Sequence, residues 1–290
     1  VHAAIDAGIN FIDTADVYGD RNSERVVARV VKQRPEKVWI ATKCGRRLSP
    51  HTAEAYTPAA LRRFVEDSLQ NTGLETLDLV QLHCPPTPVY YRPEVFELFD
   101  TLRTEGKIRF LGVSVEKVEE AIKAIDYPNV ATVQIIFNMF RQRPKDLFFH
   151  LAAKKNIGII VRVPLASGLL TGKFSKETRF NPEDHRAANR NGELFDKGET
   201  FSGVPYEIGL LAVEELKQKL TNPNRSLALT ALRWILDFKE IGCIIPGASR
   251  KDQILQNIKA SDLPPLSPEE HRIAEEIYTK RIKPYVHYLW

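Results

Sequence analysis

Along the chain, short apolar runs rich in β-branched residues alternate with longer segments of helical period. The runs are NFIDTA (10–15), VWIATK (38–43), LDLVQLH (77–83), IRFLGVSV (108–115), TVQIIFN (132–138), GIIVRVP (158–164) and IGCIIPGA (241–248). Each is almost continuously apolar rather than alternating, which suits strands covered on both faces of a parallel sheet. Between them, TPAALRRFVEDSLQNTGL, PEVFELFDTLRTEGK, VEKVEEAIKAID and KDLFFHLAAKKN read as helices. Pro58 and Pro93 fall in first helical turns, and Gly73 and Gly106 fall where helices stop. Two further helices are expected near 205–220 and 226–238, and a last one over 268–281 after the LPPLSPEE cap.

Seven strands with interposed helices, and no linker-like tract, predict one α/β domain over 1–290. A (β/α)8 TIM barrel fits that alternation. An open doubly wound sheet would usually carry a glycine-rich turn after its first strand, and none is present. The first element is a helix over residues 1–7, so an eight-stranded barrel needs one more strand before residue 10. The expectation is that the chain lacks that first strand. Residues 165–203 form a long loop with six basic and six acidic residues, and 264–290 form a C-terminal helix and tail. Loops of that length are usually functional or disordered.

Composition narrows the function classes. Hydrophobic residues make up 43% and charged residues 27%, an ordinary globular balance. A net charge of +4 over 41 basic and 37 acidic residues names no polyanionic partner, and no basic patch with interleaved aromatics suggests nucleic acid. Cys44, Cys84 and Cys243 are far apart and odd in number, which argues for a reducing, cytoplasmic setting rather than a disulfide framework. No apolar run reaches the ~18 residues of a membrane span. No paired ligand spacing points to a metal. GLLTGK (168–173) has glycines too close together for a triphosphate-binding loop.

The candidate chemistry lies at strand ends. In a barrel the C-terminal ends of the strands line the active face. Those ends carry Asp13, Lys43 and His83, with Tyr18 just after the first visible strand. A free phenol titrates near ~10, and an ammonium within a few ångströms stabilises its phenolate. Lys43 is placed to supply that ammonium, Asp13 to keep it charged, and His83 to orient a substrate oxygen. The set makes a proton donor for a carbonyl oxygen. Taken singly, each has a structural reading; Asp16, with no partner in view, is expected to cap or form a turn. Cys44 and Cys84 read as small buried side chains, and His185 as part of a solvated loop face.

At these residues the chain resembles the aldo-keto reductase superfamily. NFIDTADVYG (10–19), ATK (41–43), LDLVQLH (77–83) and GLLTGK (168–173) are similar to its signature blocks, in the same order. The resemblance implies that Asp13, Tyr18, Lys43 and His83 form the catalytic tetrad, with Tyr18 as general acid. It also implies an N-terminal hairpin and first strand ahead of the helix at Val1. It implies a nicotinamide cofactor, NADP before NAD: Ser114 and Gln134 at the carboxamide, Arg162 where a tyrosine commonly stacks on the ring, and Leu165, Ser167, Gly168 and Leu170 across the pyrophosphate. Gly247, Ser249, Arg250, Gln253 and Asn257 are implied at the adenosine end, with Arg250 able to meet a 2′-phosphate. Val115 stands where many members have asparagine.

The expected activity is NADP-dependent reduction of aldehydes or ketones, with a small carbonyl substrate and an oligomeric state left open. A cofactor-sensing module of the same fold, with slow or no turnover, is the alternative. A lysine Schiff-base aldolase would use Lys43 as nucleophile, but needs no adenosine-binding segment at 245–257.

Overall fold

A computed structural model describes residues 1–290, which fall into two compact units. The first comprises 1–115, 119–134 and 154–158; the second comprises 116–118, 135–153 and 159–290. All seven expected strands are present. No helix is long and apolar enough to cross a membrane.

The first unit holds β1 (Phe11–Asp13), β2 (Trp39–Cys44), β3 (Leu77–His83), β4 (Ile108–Ser114) and β5 (Val130–Ile136) up to Gln134. Each strand pairs in parallel with the next. Two cross-strand rows matter for the site. Lys43, Gln81 and Gly112 are register partners, and so are His83, Ser114 and Gln134. The second row depends on a register shift. Leu111 pairs with Val130 but Gly112 pairs with Thr132, so β5 carries one extra residue there. Without that bulge Val133 would stand level with Ser114, and the polar and apolar faces of β5 would exchange.

The helices of this unit are α1 (His2–Asp6), α2 (Asn22–Val31), α3 (Pro58–Thr72), α4 (Pro93–Thr104) and α5 (Val118–Ala124). At α3 the sequence signals act as expected. Thr57 Oγ1 accepts from the Ala60 N–H at 3.2 Å, Pro58 opens the first turn, and Gly73 ends it at φ 58. Leu61, Val65, Val80, Leu82, Phe96 and Leu102 are fully or almost fully buried and form the apolar interior.

The second unit holds β6 (Gly158–Arg162) from Ile159 onward and β7 (Ile241–Ile244), which pair in parallel. β7 is shorter than the expected 241–248, since Pro246 has no N–H for a ladder. Around them lie α6 (Phe148–Lys154), α7 (His185–Ala188), α8 (Tyr206–Leu220), α9 (Leu227–Leu236), α10 (Lys251–Ile258), α11 (Pro268–Ile277) and α12 (Lys283–Val286). The helix expected over 268–281 gives way at Tyr278–Ile282 to a π-turn. Phe137 stacks on Trp234 at 5.0 Å and meets Phe149 and Phe238 edge-on.

Candidate active site

The first unit brings the strand-end residues Asp13, Lys43 and His83 together with Tyr18. Lys43, only 1% exposed, lies in the interior of β2. Its Nζ donates to Asp13 Oδ2, to the Thr14 carbonyl at 3.0 Å and to Tyr18 Oη at 3.5 Å. Burial works to strip its charge; the Asp13 carboxylate and the Tyr18 oxygen outweigh that, and the Lys43 pKa is raised above its ordinary value. Lys43 is therefore an ammonium at neutral pH. Tyr18 is 43% exposed, so its hydroxyl joins a buried charge to the accessible surface. The His83 ring meets the Tyr18 ring edge-on, 6.0 Å between centroids at 89°.

Asp13 does more than hold Lys43. Its other oxygen, Oδ1, accepts from Gln134 Nε2 at 2.7 Å and from Gln81 Nε2 at 3.1 Å. Gln134 Nε2 also donates to Gln81 Oε1 at 3.2 Å. Gln81 is absent from the sequence-derived set, yet it is completely buried and shares a strand face with His83. The available signal was one amide inside the otherwise apolar run LVQLH. Ser114, also buried, is level with Gln134, and its hydroxyl meets Cys84 Sγ at 3.5 Å.

Asp16 meets its expected turn role in the backbone and departs from it in the side chain. Its backbone does open the turn over residues 16–20, its carbonyl accepting from the Arg21 N–H at 2.9 Å, but its side chain caps nothing: it is 2% exposed and neither carboxyl oxygen finds a hydrogen-bond partner. Burial raises its pKa to about 7, helped by Glu24, against the pull of Arg47 and Arg21. Glu24, also buried, accepts from Thr42 Oγ1 at 2.5 Å and Asn71 Nδ2 at 2.7 Å. The Cys44 thiol, buried beside these acids, is pushed well above its usual value.

In the second unit, Arg162 ends β6 between two carboxylates. Its guanidinium reaches Glu116 Oε2 at 2.9 Å and Glu199 Oε2 at 3.2 Å. Burial raises the Glu116 carboxyl to about 8; Arg162 opposes that and Glu199 adds to it. Glu116 and Glu199 were not singled out in the sequence, because contacts that distant leave no periodic trace. Leu165 to Leu170 form a tight turn in which Ala166, Ser167 and Gly168 have φ of 48, 54 and 100. The Ser167 hydroxyl donates to the Glu199 carbonyl at 3.1 Å and accepts from the Phe201 N–H at 3.0 Å.

Farther along, Gly247, Ser249 and Arg250 are exposed ahead of α10, and Gln253 and Asn257 lie half-buried on it. Gln253 Oε1 accepts from the N–H groups of Ser249 at 2.8 Å and Arg250 at 3.2 Å. Arg250 pairs with Asp252 at 2.9 Å, both well exposed. His185 is half-buried, with Nδ1 at 3.3 Å from Thr200 Oγ1, rather than on a solvated face.

The model of the Aldo/keto reductase family matches residues 1–279. The chain is 29% identical over 283 residues to the uncharacterized oxidoreductase YqkF of Bacillus subtilis, covering 96% of this chain and 86% of that one. It is 26% identical over 270 residues to the NADH-specific methylglyoxal reductase of Escherichia coli, covering 88% and 79%. Among solved structures, the glycerol dehydrogenase AKR11B4 of Gluconobacter oxydans is 32% identical, with a TM-score of 0.75 over 97% of this chain and 84% of that chain. The fold class is the (β/α)8 barrel expected from the sequence.

Proposed function

The chain belongs to the aldo/keto reductase family and is an NAD(P)H-dependent oxidoreductase; from that premise we propose that it reduces small aldehydes or ketones to alcohols, using NADP, with Tyr18 as proton donor. The carrying observation is the buried Lys43 ammonium, held by Asp13 and 3.5 Å from the Tyr18 hydroxyl. As Tyr18 gives its proton to a carbonyl oxygen, negative charge grows on the phenol oxygen, and Lys43 stabilises it. Asp13 keeps the ammonium charged and fixed. His83, edge-on to Tyr18, orients the carbonyl oxygen toward the phenol.

The residues present fit a nicotinamide cofactor. Gln134 spends both amide hydrogens on Asp13 and Gln81, so its Oε1 remains to accept from a carboxamide N–H. Gly247 has nothing within 4 Å of where a Cβ would stand, which leaves its backbone open to approach. When bound, the nicotinamide supplies the hydride that reduces the carbonyl carbon. Ser114 and Gln134 would hold its carboxamide and Arg162 its ring face. Leu165, Ser167, Gly168 and Leu170 would follow the pyrophosphate, and Gly247, Ser249, Gln253 and Asn257 the adenosine. Arg250 pairs only with exposed Asp252 and can turn to a 2′-phosphate, the basis for placing NADP before NAD.

The test is NADPH oxidation with a panel of aldehydes and ketones, alongside direct titration of NADPH binding. Tyr18→Phe should lower kcat by about 10²–10⁴-fold while leaving NADPH affinity within about twofold. Parallel loss of both would remove Tyr18 from the role of proton donor. Tight NADPH binding with negligible turnover on every compound would favour the cofactor-sensing alternative.

A further inference from the structure

Four strands, β1, β2, β3 and β5, converge on one buried hydrogen-bond network, and its logic admits a single orientation. Asp13, paired with the Lys43 ammonium, is a carboxylate and can only accept. Gln81 and Gln134 therefore both present Nε2 to Asp13 Oδ1, at 3.1 and 2.7 Å. The second hydrogen of Gln134 Nε2 goes to Gln81 Oε1 at 3.2 Å, which occupies that carbonyl. Reversing Gln134 would set its carbonyl against the carboxylate and against the Gln81 carbonyl. Both are repulsive. Gln134 is thus locked with Oε1 turned away from Asp13 and without a partner.

The packing keeps room for this arrangement. Gly112, the register partner of Gln81, has no space for a side chain: a Cβ there would lie 3.1 Å from Gln81 Cγ and 2.2 Å from Thr132 Oγ1. Gln81 itself has no exposed surface, so it meets neither substrate nor cofactor. A buried amide pair costs more than apolar residues would unless every bond is made.

We propose that Gln81 is a positioning residue that, with Asp13, fixes the polarity of Gln134, so that the pocket presents a hydrogen-bond acceptor and selects a cofactor whose ring substituent donates. The inference rests on the cofactor reading above and deepens it. Asp13 then has two tasks: holding the Lys43 charge, and setting which chemical group the cofactor pocket accepts.

The experiment compares dissociation constants, by quenching of protein fluorescence, for NADPH and for its reduced 3-acetylpyridine analogue. That analogue carries a methyl ketone in place of the carboxamide and so offers no donor. The wild type should prefer NADPH by about tenfold, the effect of one buried acceptor left unpaired. Gln81→Leu should shrink the preference to about threefold, since Gln134 loses one of its two anchors. In Asp13→Asn, Lys43 holds the amide oxygen and the amide N–H₂ faces Gln134, which then turns to present its own donors. The preference should fall to within about twofold.

A merely structural role for Gln81 would weaken both compounds in parallel and leave their ratio unchanged. A wild-type ratio retained in both variants, or no wild-type preference, overturns the inference while leaving the cofactor reading intact. Failure of the wild type to bind either compound overturns the cofactor reading and this inference with it. If Gln81→Leu does not fold by circular dichroism, Asp13→Asn carries the test.

Discussion

At the scale of the residue, the informative groups are those whose burial conflicts with their chemistry. Asp16 is such a group: a carboxyl with no hydrogen-bond partner, two residues before Tyr18, raised by burial and by Glu24 to about 7. An acid whose pKa is higher folded than unfolded binds its proton more tightly in the native state. Stability from this group is therefore present below its unfolded value near ~4 and is lost as pH climbs toward 7. Over that window the loss is on the order of 4 kcal/mol, at 1.36 kcal/mol per unit. Asp16→Asn, which cannot ionise, should unfold at higher urea concentration than the wild type at pH 8, with the gap closing toward pH 4.5. A gap independent of pH would mean that Asp16 is solvated or paired in solution. The sequence offered Asp16 as a cap or turn former, because an unpartnered carboxyl looks the same as a capping one until its surroundings close over it.

At the scale of the element, the seven strands were legible because apolar runs bounded by turn residues are the signature of doubly covered parallel strands. Their ends were legible too. Asp13, Lys43 and His83 are the charged or titratable residues that close otherwise apolar runs, and Tyr18 follows within one short loop. α2 was not read, since Val26, Val27, Val30 and Val31 give NSERVVARVV a strand-like composition and leave its helical face to Val27 and Ala28. Nor was the β5 bulge, for one inserted residue leaves no trace in an apolar run, although it decides that Gln134 stands beside Ser114. Gly112 is where β4 answers for its neighbours. Gly112→Ala would press a methyl to 2.2 Å from Thr132 Oγ1 and 3.2 Å from the Thr132 carbonyl, and the latter is backbone that cannot swing aside. The substitution should cost about 1–3 kcal/mol, read as a lower urea midpoint with unchanged slope. Thr57→Ala, which removes only the α3 cap, should cost about 1 kcal/mol by the same measurement.

At the scale of the whole molecule, the segment 165–203 shows how sequence distance hides organisation. Read alone, it balances six basic against six acidic residues and is expected only to be a long loop, functional or disordered. In the second unit it is held by residues far away in the chain. The Trp290 indole lies 4.1 Å from the Arg141 guanidinium, and its Nε1 donates to Asp196 Oδ1 at 2.8 Å. Arg141 Nη2 donates to the Gly198 carbonyl at 3.2 Å and the Ser202 carbonyl at 3.0 Å, and Asn138 donates to Ser202 Oγ at 2.8 Å. Gly198 and Gly203 are glycines because the indole takes the space: a Cβ at either would come within 2.7 and 2.5 Å of Trp290. Burial brings Arg141 down to about 9, against the opposing pull of Glu116 and Asp196, and the guanidinium stays charged at neutral pH, so these partners matter for holding a buried charge in place. Trp290→Ala removes a buried aromatic and exposes this charge, at a cost of about 3–5 kcal/mol. Because Glu199 and Ser202 belong to the pinned stretch, loosening it also releases Arg162 from one of its two carboxylates. Limited proteolysis of Trp290→Ala should therefore cut first between residues 176 and 203, at protease concentrations that leave the wild type intact. NADPH should bind several-fold more weakly, whereas Tyr18, Lys43 and Asp13, all in the first unit, keep their contacts. Cleavage elsewhere first, or an affinity equal to wild type, would show that Trp290 fills space without holding the segment that faces Arg162.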